Sequence, residues 1–205
     1  GISAYASDPA AITAAFVSDA LKLPGNPLES VLQLSNKCEF RESQHEIGVP
    51  APIFRRIETA DDVLEMAAEF EHGIIVKPAD TSGSKGVFRV DLKSELNSDR
   101  VFIQDMLTEG MDYSRMKVLM AEEYIPRNGF LMSGDVLIDS GQIKFMSFGD
   151  VHFNERINGI VPRSISLPAS KPSVFFKRVK VDLQKLIDRL SLQSGVIHVD
   201  VIESS

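Results

Sequence analysis

A lysine stands inside an apolar run at Ile75-Val76-Lys77-Pro78, and a loop rich in glycine and serine follows at Asp80-Thr81-Ser82-Gly83-Ser84-Lys85-Gly86. Burying an unpaired ammonium is unfavourable, so Lys77 needs an anion or a water-filled cleft beside it. Pro78 has no N–H and ends the pairing of its strand. Glycine lets successive backbone N–H groups turn toward one point, and the hydroxyls of Ser82 and Ser84 add donors. That combination suits a phosphate. The spacing is not the Gly-x-x-x-x-Gly-Lys-Ser/Thr of a Walker A loop. The same residues also suit a flexible hairpin loop with a lysine that snorkels to water.

Three further places hold residues of the right type. Met120-Ala121-Glu122-Glu123-Tyr124-Ile125-Pro126 is an apolar strand that ends in two acids, an aromatic and an aliphatic residue. Such a segment can offer backbone groups to the edge of a purine while Tyr124 and Ile125 wall the ring. It also reads as an edge strand with solvated glutamates. In Gly195 to Ile202, alternation puts Val196, His198, Asp200 and Ile202 on one face and Ile197, Val199 and Val201 on the other. A carboxylate at Asp200 suits a hard cation such as Mg2+, although one carboxylate also fits a partly exposed sheet face. Lys37 lies one turn into a helix that follows a break, where most lysines are solvated.

The elements that position these residues follow from pattern. Ser7-Asp8-Pro9 is a helix start, with an expected capping oxygen and Pro in the first turn. The first helix runs from Ala10 to Leu23, and a short one from Leu28 to Leu34 follows Pro24-Gly25-Asn26-Pro27. Ser35 or Asn36 caps a helix to Ile47, which Gly48 closes. Ile53 to Ile57 reads as a strand, Thr59 to Glu71 as a helix, and Ile74 to Pro78 and Val87 to Val90 as strands. Leu92 to about Leu107 is expected to be helical. Val118 to Ile125 is a strand, with a turn at Pro126 to Gly129. Val136 to Ile138 and Ile143 to Phe148 form a hairpin around Asp139-Ser140-Gly141. Arg163 to Leu167 is a further strand, Val174 to Leu192 an amphipathic helix, and Val196 to Ile202 the last strand. Interleaved helices and hairpin strands argue for a mixed α/β chain of the α+β type with largely antiparallel sheets.

Composition narrows the function. The chain has 205 residues, with 22 basic and 29 acidic side chains and a formal net charge of −7. No basic cluster marks a nucleic-acid partner. No apolar run approaches the ~20 residues of a membrane span. The single cysteine, Cys38, excludes an intrachain disulfide and fits a cytoplasmic setting. The chain begins at Gly1 without an initiator Met and stops after a strand pattern, so both ends read as cut.

Taken in order, these pieces resemble the ATP-grasp superfamily, in particular its carbamoyl-phosphate-synthetase-like and carboxylate–amine ligase branches. The resemblance rests on Leu23-Pro24-Gly25-Asn26, on Asn36-Lys37-Cys38-Glu39-Phe40-Arg41, and on Gly48 to Pro52. It continues through Lys77 and the Ser82–Gly86 loop, the Glu122-Glu123-Tyr124-Ile125 connector, and the helix before Gly195 to Asp200. It implies two subdomains with largely antiparallel sheets enclosing a nucleotide cleft. Residues 1–35 would be the tail of a preceding Rossmann-like domain, 36–117 the lysine helix with the small lid subdomain, and 118–205 an incomplete large subdomain. The expected ligands are ATP and Mg2+.

The resemblance also implies roles. Lys37 and Lys77 would contact the phosphates, and Ser82, Gly83, Ser84 and Gly86 would cover them. Glu122 and Ile125 would meet adenine through their backbones, with Glu123 and Tyr124 in the same connector. Asp200 would be a metal ligand. The implied chemistry is activation of a small-molecule carboxylate as an acyl phosphate for attack by an amine, with a homodimer as the assembly and no nucleic acid or membrane as partner. No catalytic side chain is assigned. Two departures favour an alternative, a non-catalytic nucleotide-binding or regulatory module. Leu131 stands where the family carries a ribose-binding acid, and the family's Glu-x-Asn metal motif is expected only after the last residue of this chain. Asp135 carries no assigned role. Asp150, His152 and Arg163 are further cleft candidates.

Overall fold

A computed structural model describes residues 1–4, 7–93, 99–126, 131–154 and 158–203. Six helices and eight strands follow one another in chain order among these residues. They are α1 (Asp8–Ala20), α2 (Leu28–Ser35), α3 (Lys37–Glu46), β1 (Phe54–Ile57), α4 (Ala60–Ala68), β2 (Ile74–Pro78), β3 (Phe88–Val90) and α5 (Arg100–Tyr113). After them come β4 (Leu119–Glu123), β5 (Leu131–Asp139), β6 (Gln142–Asn154), β7 (Asn158–Ser166), α6 (Ser173–Arg189) and β8 (Ser194–Ile202).

The strands form two four-stranded sheets, ordered β1-β4-β2-β3 and β7-β6-β5-β8. Every pairing is antiparallel, so the mixed α/β expectation holds. The division between sheets differs from the expected boundary before residue 118. β4 lies between β1 and β2 in the first sheet. The reason is its apolar face: Leu119 and Ala121 complete the same core as Ile74 and Val76, so β4 is buried only by joining that sheet.

The first core packs one face of this sheet under α4 and α5, with Val63, Met66, Ile103 and Leu107 against Ile74, Val76 and Val90. α4 starts on a capping box, in which the Asp62 amide donates to Thr59 Oγ1 and the Thr59 amide to Asp62 Oδ2. α5 starts later than the expected helix at Leu92. Asp99 caps it by accepting from the Phe102 amide at 2.8 Å, and residues 94–98 lie outside the described set. Residues 108–113 complete α5. At the other end, Ser7 occupies the cap of α1 but its hydroxyl makes no capping bond. The expected turn at Pro126 to Gly129 falls largely outside the described residues.

The second core lies under the other sheet, where α6 presents Leu183, Leu186 and Ile187 to Met132, Val136, Ile138 and Phe148. The hairpin strands run well beyond the apolar stretches that announced them, because Ser133-Gly134-Asp135 in β5 and Gly149-Asp150 in β6 interrupt the hydrophobic run. α3 joins the two halves. Cys38 packs with Ala79 and Met120 of the first, while Phe40 and Ile47 pack at the edge of the second core. No helix of the described residues is long and apolar enough to cross a membrane.

Candidate functional site

The alternation of β2 decides where Lys77 points. Ile74 and Val76 are buried in the first core, so Ile75 and Lys77 face the other side. Register then sets its neighbours: Lys77 lies opposite Met120, and Ile75 opposite Glu122. Lys77 and Glu122 are therefore diagonal neighbours on one face, within reach of a long side chain. The Lys77 ammonium donates to Glu122 Oε1. The other oxygen, Oε2, accepts from Arg41 Nε at 3.1 Å, and Arg41 Nη1 donates to Gln44 Oε1 at 2.6 Å. The side chains of Lys77, Glu122 and Arg41 are only 14, 11 and 18% exposed.

Two cations thus share one carboxylate, leaving one positive charge in excess in a poorly hydrated place. Burial pulls the Lys77 ammonium below its ordinary value, and the Glu122 charge opposes this. Burial pushes the Glu122 carboxyl up, but the charges of Lys77 and Arg41 outweigh it and hold the group below the usual carboxylate range. An anion is the ligand that such a site favours. Glu122 itself is flanked by Phe54 and Ile75 on either side within the sheet. Its carboxylate, anchoring Lys77, is the side-chain feature it turns to the site.

Lys37 opens α3, whose cap is the Asn36 side chain. Its ammonium donates to the carbonyl oxygens of Thr81 and Ala79, and its amide to Ala79 O at 2.8 Å. The helix is therefore tied to the root of the glycine–serine loop. That loop has positive φ at Gly83 (72°), Ser84 (57°) and Gly86 (66°), and Ser82 and Gly83 are exposed. Left-handed residues at this density turn amides toward a common side, as an anion cradle requires. Asp80 fixes the loop at its foot. It accepts from Ser114 Oγ at 2.8 Å and from the amides of Arg115 and Met116, each at 3.0 Å.

The connector leaves the sheet just after Glu123. The Glu123 amide donates to Ile53 O at 2.9 Å and the Tyr124 amide to Gly73 O at 3.0 Å. The Arg89 guanidinium lies 4.0 Å from the Tyr124 ring centroid. A depression of about 210 Å3 opens beside them, lined by Phe70, His72, Glu123, Tyr124 and Ile125 among others. Cys38, next to Lys37, is fully buried, and burial pushes its thiol above the ordinary value. That makes it a packing residue and a poor nucleophile.

Asp200 belongs to the second sheet, opposite Ser133 in register. Ser133 Oγ donates to Asp200 Oδ1 at 2.6 Å and lies 2.8 Å from His198 Nε2. His198 Nδ1 is 2.9 Å from Asp135 Oδ1. The polar face expected from alternation is thus a connected chain of Asp135, His198, Ser133 and Asp200. Among the described residues no group of three metal-ligating side chains forms, so Asp200 offers one hard oxygen. Asp150 accepts from the Ser170 amide at 2.9 Å, His152 Nε2 lies 2.8 Å from Ser166 Oγ, and Arg163 is exposed. Leu131 begins β5 opposite Val151 and Ile202.

Sequence reasoning passed over Arg41 and Asp80. Arg41 is four residues after Lys37, so both lie on one helix face, and that spacing was available. Asp80 directly precedes a glycine–serine loop, where an aspartate commonly fixes a turn by bonding to amides.

No protein-family model matches the sequence. Part of the chain is similar to the N-terminal section of the carbamoyl phosphate synthase large chain of Methanopyrus kandleri, 25% identical over 101 residues, covering 49% of this chain and 17% of that protein. Among solved structures, the chain superposes on an L-amino acid ligase from Bacillus licheniformis with a TM-score of 0.72 at 20% identity, covering 97% of this chain and 44% of that one. It superposes on the ADP complex of N5-carboxyaminoimidazole ribonucleotide synthetase with a TM-score of 0.74 at 14% identity, covering 98% and 50%. The chain thus spans half or less of the length of each of these three proteins. Its fold is the ATP-grasp fold, as the order of its motifs implied.

Proposed function

We propose that this chain is the nucleotide-holding part of an ATP- and Mg2+-dependent ligase that joins a small carboxylate to an amine. The observation that carries this reading is the shared carboxylate of Glu122, which holds Lys77 and Arg41 with one positive charge in excess beside a loop of left-handed backbone. A polyphosphate supplies the missing negative charge. Lys77 and Lys37 would contact its phosphates, and the amides and hydroxyls of Ser82, Gly83, Ser84 and Gly86 would cover them. Glu122 and Ile125 would offer backbone groups to the base, with Tyr124 as a wall. Asp200 would give one oxygen to a Mg2+ ion, which neutralises phosphate charge when bound.

The chemistry follows from those parts. A carboxylate oxygen attacks the γ-phosphorus, the bond to the β-phosphate oxygen breaks, and ADP leaves. Cations held in place stabilise the charge on the transferring group because they need no reorganisation at the moment of reaction. The amine nitrogen then attacks the acyl carbon, phosphate departs, and the nitrogen loses a proton. The ligase and synthetase names of the solved structures it resembles support this choice of reaction over other uses of ATP.

Two measurements test the reading. Calorimetry of the chain with Mg·ATP is expected to show saturable binding that Lys77→Ala removes. Incubation of the whole ligase that carries this part, with carboxylate and amine mixtures, is expected to release ADP, and added hydroxylamine to trap a hydroxamate from the acyl phosphate. Binding without ADP or hydroxamate would remove the ligase half. No binding at all would remove both halves.

A further inference from the structure

Arg41 makes no contact expected of a ligand-binding residue, yet it is largely shielded and bonded through two of its nitrogens. Its Nε bonds Glu122, its Nη1 bonds Gln44, and its guanidinium carbon lies 5.7 Å from the centroid of the Phe40 ring. Gln44 is itself buried. The guanidinium is therefore fixed on the α3 side and holds one oxygen of Glu122, while the other oxygen holds Lys77. A lysine and a glutamate alone would close into a neutral pair, and the ammonium would have little call on an outside anion. With Arg41 present, the carboxylate is divided between two cations.

We infer that Arg41 is a positioning residue: by holding Glu122 from α3 it fixes Lys77 on β2 and keeps the excess positive charge that recruits a polyphosphate. This rests on the nucleotide-binding reading above and assigns Arg41 its part in it. Arg41 acts through Glu122, so its effect should follow the phosphates of a ligand and leave the base alone. A residue that merely supports the fold would weaken all ligands together.

The test uses the full chain, calorimetry, and three probes: ATP, inorganic tripolyphosphate and adenosine. Arg41→Gln is expected to weaken ATP and tripolyphosphate by about tenfold to a hundredfold, the order expected when a point charge several ångströms away is lost at an effective dielectric near 20. Adenosine is expected to change by less than about threefold, since it carries no charge for that field to act on. Arg41→Lys, which restores the charge, should recover most of the tripolyphosphate affinity. Unchanged tripolyphosphate binding in Arg41→Gln overturns the inference, as does a parallel loss of adenosine. If Arg41→Gln does not fold, the double variant Arg41→Gln/Glu122→Gln replaces it. That variant keeps the net charge but releases Lys77, so weaker tripolyphosphate binding supports positioning and wild-type binding overturns it. Failure of the unaltered chain to bind ATP would overturn the nucleotide-binding reading, and this inference with it. ATP binding that ignores Arg41 overturns the inference alone.

Discussion

The hydroxyl of Ser114 donates to Oδ1 of Asp80 at 2.8 Å and ties the foot of the glycine–serine loop to the turn between α5 and β4. The other oxygen of Asp80 accepts from two backbone amides in that turn. One buried carboxylate therefore sets the start of the loop. Asp80→Ala leaves these donors without their acceptor and should destabilise the chain by about 1–3 kcal/mol. Asp80→Asn keeps one acceptor oxygen and should lose less. Urea midpoints of the two variants check this, and equal losses would show that the carboxylate is not the anchor.

Two glycines of the loop should respond differently. Gly86 has φ +66°, and a Cβ there would meet Gly110 Cα at 2.9 Å and Tyr113 Cδ2 at 3.1 Å. Gly83 has φ +72° with nothing within 4 Å of a Cβ. Gly83→Ala should therefore cost about 1–2 kcal/mol, the left-handed backbone penalty alone. Gly86→Ala adds overpacking against α5 and should cost about 2–4 kcal/mol. Thermal unfolding of both variants, compared at one heating rate, distinguishes them.

Much of this was legible in the sequence, for local reasons. Lys77 broke an apolar alternation, the glycine spacing announced the loop, and α6 showed its buried stripe. The Glu122 carboxylate was not legible as a partner of Lys77. The two are 45 residues apart, and only the register of β2 on β4 makes them diagonal neighbours. The placement of β4 in the first sheet failed for the same reason, since a strand's apolar face does not name the core it joins. The start of α5 was misplaced because Asp91 and Asp99 are both capping residue types in the sequence, and it is Asp99 that accepts from the first turn of α5. Arg41 carried a usable signal in its spacing from Lys37, but that signal gained meaning only once Glu122 was seen between the two cations.

The division of Glu122 between two cations gives unequal costs for removing its parts. Glu122→Gln strands Lys77 and Arg41 together in a buried place and should destabilise by about 3–5 kcal/mol. Lys77→Met removes a buried ammonium and leaves Glu122 paired with Arg41, so it should lose less than about 2 kcal/mol. Urea unfolding of the single variants provides the comparison, and matched losses would mean that Glu122 serves Lys77 alone.

The same pair fixes how stability should vary with pH. The Glu122 carboxyl is held below its ordinary 4.5. Above that ordinary value its ionised form contributes fully to stability, and the contribution is lost as pH falls through the depressed value. The Lys77 ammonium is held below its ordinary 10.5. Below the depressed value the fold bears the burial of a charge that the unfolded chain keeps in water. As pH climbs from the depressed value toward 10.5, the fold releases its proton first and becomes relatively more stable. In both windows the unfolded chain binds more protons than the folded one, so stability rises with pH in each. Other groups titrate over the same range, and differences from wild type remove their common part. The Glu122→Gln difference curve should bend at acid pH, and the Lys77→Met curve at alkaline pH. An alkaline rise that survives Lys77→Met undiminished would mean that the lysine is not buried as its place on β2 requires.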